Sequence, residues 1–263
     1  MKIVDLSVPI VHELPVDPPP QIPHIEYITH KTGADSMLAF FPGATQDDLP
    51  DGCGWAVENL RLSSHTGTHV DAPWHYHPTM NGGETAWTID QVPLEWCIGP
   101  GVVVDFYDKP DGYVCKPEDF QAYFEKINYT LKPGDIVLVR TSAMDAWGTP
   151  AYLNRGCGVG REATIWLARQ GVHLMGTNAW SWDIPLSFEA EQFSKTGDSS
   201  VIWEGHKAGA EIAYCHMEKL NNLEKLPPYG FQVVAFPVNI QNAGAGWCRA
   251  VALLDGELTE RHG

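Results

Sequence analysis

Four of the chain's eleven histidines, His65, His69, His75 and His77, fall within thirteen consecutive positions. Even scattering through 263 residues would leave such a window with one or none. Asp71 sits among them. Neutral imidazole and carboxylate are the usual ligands of zinc, manganese and iron. The spacing therefore predicts a divalent-metal site built from His65, His69 and Asp71, with His75 close enough to handle a proton.

The local backbone has to be bent for this to work. His65 and His69 are four apart, which suits one face of a helix. Asp71 would lie far round that helix, and Pro73 would break it. An extended segment fits better: from His69 onward, every second residue faces one side, so His69, Asp71 and His75 share a side. Gly67 lets the preceding turn swing His65 back to the same point. Three protein ligands leave a position for water, as a catalytic metal requires. The same alternation turns Trp74 away from Asp71 and His75, so it is expected to pack behind the metal. Trp74, Trp180 and Trp182 are the candidate substrate-binding residues, the last two as the lining of an aromatic pocket.

The surrounding elements must hold this segment. Residues 2–10, 25–29 and 57–62 read as strands, the last delivering the chain to His65. Residues 11–24 carry five prolines and read as an extended surface stretch. Residues 41–54 are rich in Pro, Gly and Asp, so the whole 11–54 stretch is a candidate cover for the site. Strands and helices then alternate: strands at 101–106, 135–141, 172–177, 231–237 and 248–254, and helices at 117–127, 161–170 and 218–226. A strand is also expected at 211–215. Strands outnumber helices, which predicts an α/β (α+β) mixed sheet with helices packed outside, in a single domain over 1–263.

Composition limits the partners. The net charge is −16, which argues against nucleic acid and anionic membranes but not against a small-molecule substrate. No apolar run is long enough to span a bilayer and no leader pattern opens the chain. Six widely spread cysteines form no Cys-x2-Cys pair and read as reduced thiols in a cytoplasmic protein. Gly156 to Arg161 lacks the Lys-Ser/Thr of a phosphate loop, and no Gly-x-Ser-x-Gly elbow occurs.

The run His65-Thr66-Gly67-Thr68-His69-Val70-Asp71-Ala72-Pro73-Trp74-His75 resembles the His-x-Gly-Thr-His-x-Asp-x-Pro-x-His signature of the metal-dependent cyclase hydrolases. That family includes bacterial kynurenine formamidase and isatin hydrolase. The opening Val4-Asp5-Leu6-Ser7, the Pro133-Gly134-Asp135 strand entry and the closing Cys248-Arg249-Ala250-Val251 agree with it. The resemblance implies a swivelling β/β/α fold and a homo-oligomer, dimer or tetramer. It implies that His65, His69 and Asp71 are metal ligands and His75 the proton-transfer residue. It also implies a second metal on a later His and a Glu twelve residues on, a spacing met by His206 and Glu218. One or two ions, zinc or manganese, are then expected per chain, with Asp71 bridging if there are two.

The expected chemistry is hydrolysis of a cyclic or N-formyl amide next to an aromatic ring. The metal would activate water and His75 would carry the proton. The alternatives are a metal-dependent lyase or dehydratase on a small carbonyl compound, and a non-catalytic metal-binding protein.

Overall fold

The computed structural model describes residues 1–254, so residues 255–263 of the expected domain lie outside the described residues. Nine strands form one mixed sheet: β1 (Lys2–Asp5), β2 (His69–Asp71), β3 (Ile98–Asp105), β4 (Ile136–Arg140), β5 (Leu174–Thr177), β6 (Cys215–Glu218), β7 (Tyr229–Val234), β8 (Ala245–Trp247) and β9 (Val251–Leu254). Their order across the sheet is β1-β9-β7-β3-β4-β5-β6-β2-β8. The four central strands β3, β4, β5 and β6 run parallel, and every other pairing within this sheet is antiparallel. The mixed α/β single domain expected from the sequence is what the chain forms.

Of the central strands, β3 and β4 carry apolar side chains on both faces because both are covered. Along β4, Ile136 and Leu138 join a core with Val70, Val103, Leu174 and Met217. Val137 and Val139 point the other way, into a core with Val102, Val104 and Met175. Helices Pro117–Lys126 and Arg161–Arg169 cap that second core with Phe120, Phe124, Ala163 and Leu167. The first of these helices starts where Pro117 needs no N–H donor and Asp119 accepts the Lys116 N–H at 2.8 Å.

The sheet curls until the chain leaving β1 meets β6 and β2 near the opposite side of the sheet. Ser7 bridges to Leu220, just past β6, and the Val8 N–H donates to Thr68 Oγ1 at 2.9 Å, just before β2. This curling encloses the first core and fixes β2, which carries the histidine segment, against β6.

Several local expectations change. The extended run from His69 stops at Asp71, and Pro73 starts a one-turn helix, Pro73–Tyr76, rather than continuing the strand. Proline at the first helical position is compatible with both its fixed φ and its missing donor. The helix expected at 218–226 and the strand at 211–215 are both displaced. The strand is Cys215–Glu218, and a short 3₁₀ turn, Leu223–Lys225, follows. Met217 packs in the core between two residues of opposite facing, a period of two rather than 3.6. Helix Leu186–Thr196 was not expected. Of the 11–54 stretch, Gln21 lines the site cavity and residues 41–54 do not, while strand His24–Ile28 pairs with Val57–Arg61 in an outlying ribbon.

Candidate metal centre

The pairing of β2 with β6 sets the centre. Asp71 lies opposite His216, and His69 lies opposite Glu218. Residues directly opposite on paired strands point to the same face, so four ligand-type side chains converge from two short strands. Val70 and Met217, between them, face the apolar core. His69, Asp71 and His216 are completely buried and Glu218 nearly so. His65 arrives from the turn before β2, where Gly67 takes φ +66°, a left-handed conformation that suits glycine. His75 comes from the one-turn helix after β2, and His206 from a second one-turn helix, Glu204–Lys207.

Two overlapping groups result, sharing Asp71. His65 Nδ1 lies 2.8 Å and His69 Nε2 3.3 Å from Asp71 Oδ1. His75 Nε2 lies 3.9 Å from Asp71 Oδ2. On the other side His216 Nε2 is 3.2 Å from both Asp71 Oδ2 and Glu218 Oε1. His206 Nε2 is 3.7 Å from Glu218 Oε1 and 4.0 Å from Asp71 Oδ2. Ligand atoms about 2.0–2.2 Å from a common ion stand at such separations from one another.

The hydrogen bonds on the far side of each ring decide what faces inward. His69 Nδ1 is 2.9 Å from the Gly67 carbonyl oxygen, which can only accept, so Nδ1 carries the proton and Nε2 keeps its lone pair. His206 Nδ1 contacts the Asp183 carboxylate, which also accepts from the Gly205 and His206 N–H groups. The Tyr76 hydroxyl donates to the Asp71 carbonyl at 3.1 Å. It accepts from the His216 N–H at 3.1 Å, so its remaining lone pair faces His216 Nδ1 at 3.1 Å. His216 Nδ1 is thereby the donor, and Nε2 points inward. Such outer partners fix tautomer and ring direction at metal sites. His69 Nε2 and both Asp71 carboxylate oxygens are buried without a hydrogen-bond partner. A buried hollow lined by acceptors is costly unless a cation fills it, so the residues present fit a divalent metal.

The electrostatics agree. Burial alone would raise the Asp71 carboxyl, but His65, His69 and His75 hold it well below the usual range. Burial would likewise raise Glu218, and His216 brings it down to about 2. Burial opposes charge on His216, yet the two carboxylates lift it to about 9. A proton on Nε2 and a divalent cation therefore compete for one hollow. His65 is raised by Asp71 against the opposing effect of burial. His75 goes the other way. Burial, with His65 and His206 nearby, outweighs Asp71 and pushes it down to about 3.

A cavity of about 340 Å³ opens onto this centre, with His65, His75, His206 and Glu218 at one end and Trp180, Leu186, Ile202 and Trp203 as apolar walls. His65 and His75 side chains keep 22% and 25% of their surface exposed, so the centre is reachable rather than sealed. Among the expected aromatic residues, Trp180 lines the cavity. Trp182 is fully buried beneath the centre, stacked on His216 at 5.6 Å with its Nε1–H donating to Thr164 Oγ1 at 2.9 Å. Trp74 is 44% exposed and lines no part of the cavity, because the helical turn at Pro73 rotates it outward.

The structure adds residues that sequence reading did not find. His216 was visible only as half of a His-x-Glu pair on a strand. Asp183 and Tyr76 carried no signal of their own. Trp203, in a left-handed conformation at φ +57°, stacks on His206 at 4.3 Å and meets His75 edge-on at 5.1 Å. Lys219, also left-handed, is fully buried. It pairs with Asp17 and donates to the His65 carbonyl at 2.8 Å, tying the proline-rich stretch to the metal strand.

A curled mixed sheet carrying a largely buried cluster of His, Asp and Glu side chains that could hold a metal, open to a cavity, is a layout suited to a metalloenzyme. Comparison with known proteins gives the family. A model of the putative cyclase family matches residues 4–184. Kynurenine formamidase of Bordetella petrii is 32% identical over 224 residues, covering 80% of this chain and 90% of that protein. An isatin hydrolase bound to the product analogue thioisatinate superposes with a TM-score of 0.75 at 20% identity, covering 97% of this chain and 93% of that one. Isatin hydrolase A from Ralstonia solanacearum also gives 0.75, at 23% identity, covering 97% and 92%. The chain belongs to the cyclase family, as its histidine signature implied.

Proposed function

We propose that this protein is a divalent-metal-dependent hydrolase of a non-peptide amide, cyclic or N-formyl, attached to an aromatic ring. The observation that carries this is the acceptor-lined hollow opening on a tryptophan-walled cavity. The kynurenine formamidase and isatin hydrolase relatives act on such bonds by their names, which supports the reading.

His65, His69 and Asp71 would hold one ion. His206 and Glu218, with His216 completing the set, would hold a second across the shared Asp71. Zinc and manganese both suit these ligands. A cation held there supplies Lewis acidity, polarising a carbonyl and lowering the pKa of water.

The chain's own groups do the rest. His75 is neutral near pH 7 because burial holds it at about 3. It accepts the proton of the attacking water and returns it to the departing nitrogen. Trp180 and Trp203 both line the cavity and would give the aromatic ring apolar surface to pack against. Trp203 also braces His75 and His206. The partly exposed His65 and His75 argue against a sealed, purely structural site.

A homo-oligomer, dimer or tetramer, belongs to this reading. Strand Val57–Arg61 of the outlying ribbon is exposed along its whole length and offers an edge to a second copy. All six cysteines are free thiols, which supports a cytoplasmic location. Among the described residues no helix is long and apolar enough to cross a membrane.

The test is metal analysis of the purified protein, then a screen of N-formyl anilines, isatins and cyclic imides before and after chelation. Turnover of one class, lost with the metal and restored by it, is expected. A fully metal-loaded protein inert to every amide would end the hydrolase reading.

A further inference from the structure

Away from the metal centre the cavity wall combines apolar Trp180, Leu186, Ile202 and Trp203 with the polar side chains of Gln21, Ser181, Glu189, Lys207 and Lys219. Glu189 sits in the first turn of helix Leu186–Thr196, whose Leu186 also lines the cavity. Only 3% of its surface is exposed. One carboxylate oxygen, Oε2, accepts the Trp203 N–H at 3.1 Å, and so holds the left-handed residue that stacks on His206. The other oxygen, Oε1, is buried with no hydrogen-bond partner among the described residues. No ion pair within the described residues engages Glu189 either. A buried carboxyl oxygen left unpaired beside a ligand cavity is expensive to keep, and a ligand that hydrogen-bonds to it recovers that cost. An apolar pocket with one or two fixed polar groups is also how a small-molecule site sets orientation.

We infer that Glu189 is a specificity-determining residue, whose Oε1 receives a hydrogen-bond donor, an N–H or O–H, carried by the substrate on the side of its aromatic ring remote from the scissile amide. This deepens the amide-hydrolase reading and rests on it for the identity of the reacting bond. The substrate class narrows accordingly: an aryl amide with an amino or hydroxyl group far from the bond that breaks. Two constraints make the selection sharp. Trp180, Trp203, Leu186 and Ile202 give the ring apolar contact, and of the polar side chains on the wall away from the metal centre Glu189 is the one with a buried oxygen left unpaired among the described residues. A site built to pair a polar group rejects an analogue lacking it far more strongly than an apolar pocket rejects a missing methyl.

The experiment uses matched N-formyl anilines carrying either an amino or a methyl group at the meta or para position. Binding to the metal-loaded protein at pH 8, where the Glu189 carboxyl has lost its proton, is followed by tryptophan fluorescence, and turnover by product formation, for wild type and Glu189→Gln. The glutamine keeps an oxygen for the Trp203 N–H and presents an NH2 group where Oε1 stood. Wild type is expected to bind at least one amino compound about tenfold or more tighter than its methyl twin. Glu189→Gln erases that preference and leaves the methyl compound within about twofold. Equal binding of both twins at both positions by wild type overturns the inference. So does an equal loss on both twins in the variant, which would mean a merely structural role. Should the variant fail to fold, the wild-type preference alone decides. If the preference appears in binding while nothing is hydrolysed, the subsite stands and the amide-hydrolase reading falls.

Discussion

The two halves of the metal centre are built differently. His65, His69, Asp71 and His75 come from eleven consecutive residues, a bent segment whose turn, strand and helical turn each supply a ligand-type group. His206, His216 and Glu218 are brought in by a separate helical turn and by the pairing of β6 with β2. The first half is contiguous in the chain, and its strand is held by β6 and β8 on either side. The second exists only once the sheet has curled and paired. Asp71 belongs to both, and the difference says which changes should disable the whole centre and which only one side.

The largest effect is expected at Asp71. Asp71→Asn removes the shared charge, so both groups lose their anchor. Metal content should fall at both positions, and turnover should drop by more than the ~10²–10⁴-fold of a lost proton carrier. Retention of one ion at full occupancy would show that the halves are independent. His75→Ala is next. It lies in the local half yet is expected to leave metal content unchanged while lowering kcat by about 10²–10⁴-fold. A variant with wild-type kcat would take His75 out of the proton path.

The dispersed half is tested more gently through the residues that orient it. Tyr76→Phe keeps the ring that stacks on His216 and removes the hydroxyl that fixes its tautomer. Loss of such an outer partner typically costs about 10–100-fold in metal affinity. The loss should fall on one ion only, with the His65 side unaffected. Metal titration that shows a single weakened step would sharpen the contrast between the halves, and uniform weakening of both steps would abolish it.

This division also explains what could be read from the sequence. The local half was legible because ligand types crowd one stretch and Gly67 and Pro73 mark how it bends. Even there the reading erred at Trp74. The one-turn helix at Pro73 carries that side chain outward, which strand alternation could not show. His206 and Glu218 were found by a family spacing, not by any local pattern. His216 was missed because the 218–226 stretch was read as a helix. The His-Met-Glu alternation is a strand signal only two turns of side chains long, and its meaning depends on the partner strand carrying His69 and Asp71. The mixed sheet itself was legible from apolar runs such as Ile136–Arg140. The curl that joins Ser7 to Leu220 was not, since it rests on contacts far apart in the chain.

The smallest expected effect concerns the wall beside the dispersed half. Burial, with Asp183 and Glu204 nearby, raises the Glu189 carboxyl to about 7 in the folded protein. In the unfolded chain it would titrate at an ordinary glutamate value near 4.3. The folded pKa being the higher one, the folded state binds the extra proton. Stability is then fully present at low pH and lost progressively as pH rises from about 4.3 through about 7. Glu189→Gln has no proton to lose and keeps the hydrogen bond to Trp203. Its melting temperature relative to wild type should therefore climb between pH 5 and pH 8, by a few degrees for a chain of this size. The comparison is made at fixed metal loading, since metal binding carries its own pH dependence. A difference that stays flat across that range would mean the Glu189 carboxyl is already ionised at pH 5, with a charged partner holding it so. Its free oxygen would then be unavailable to a ligand.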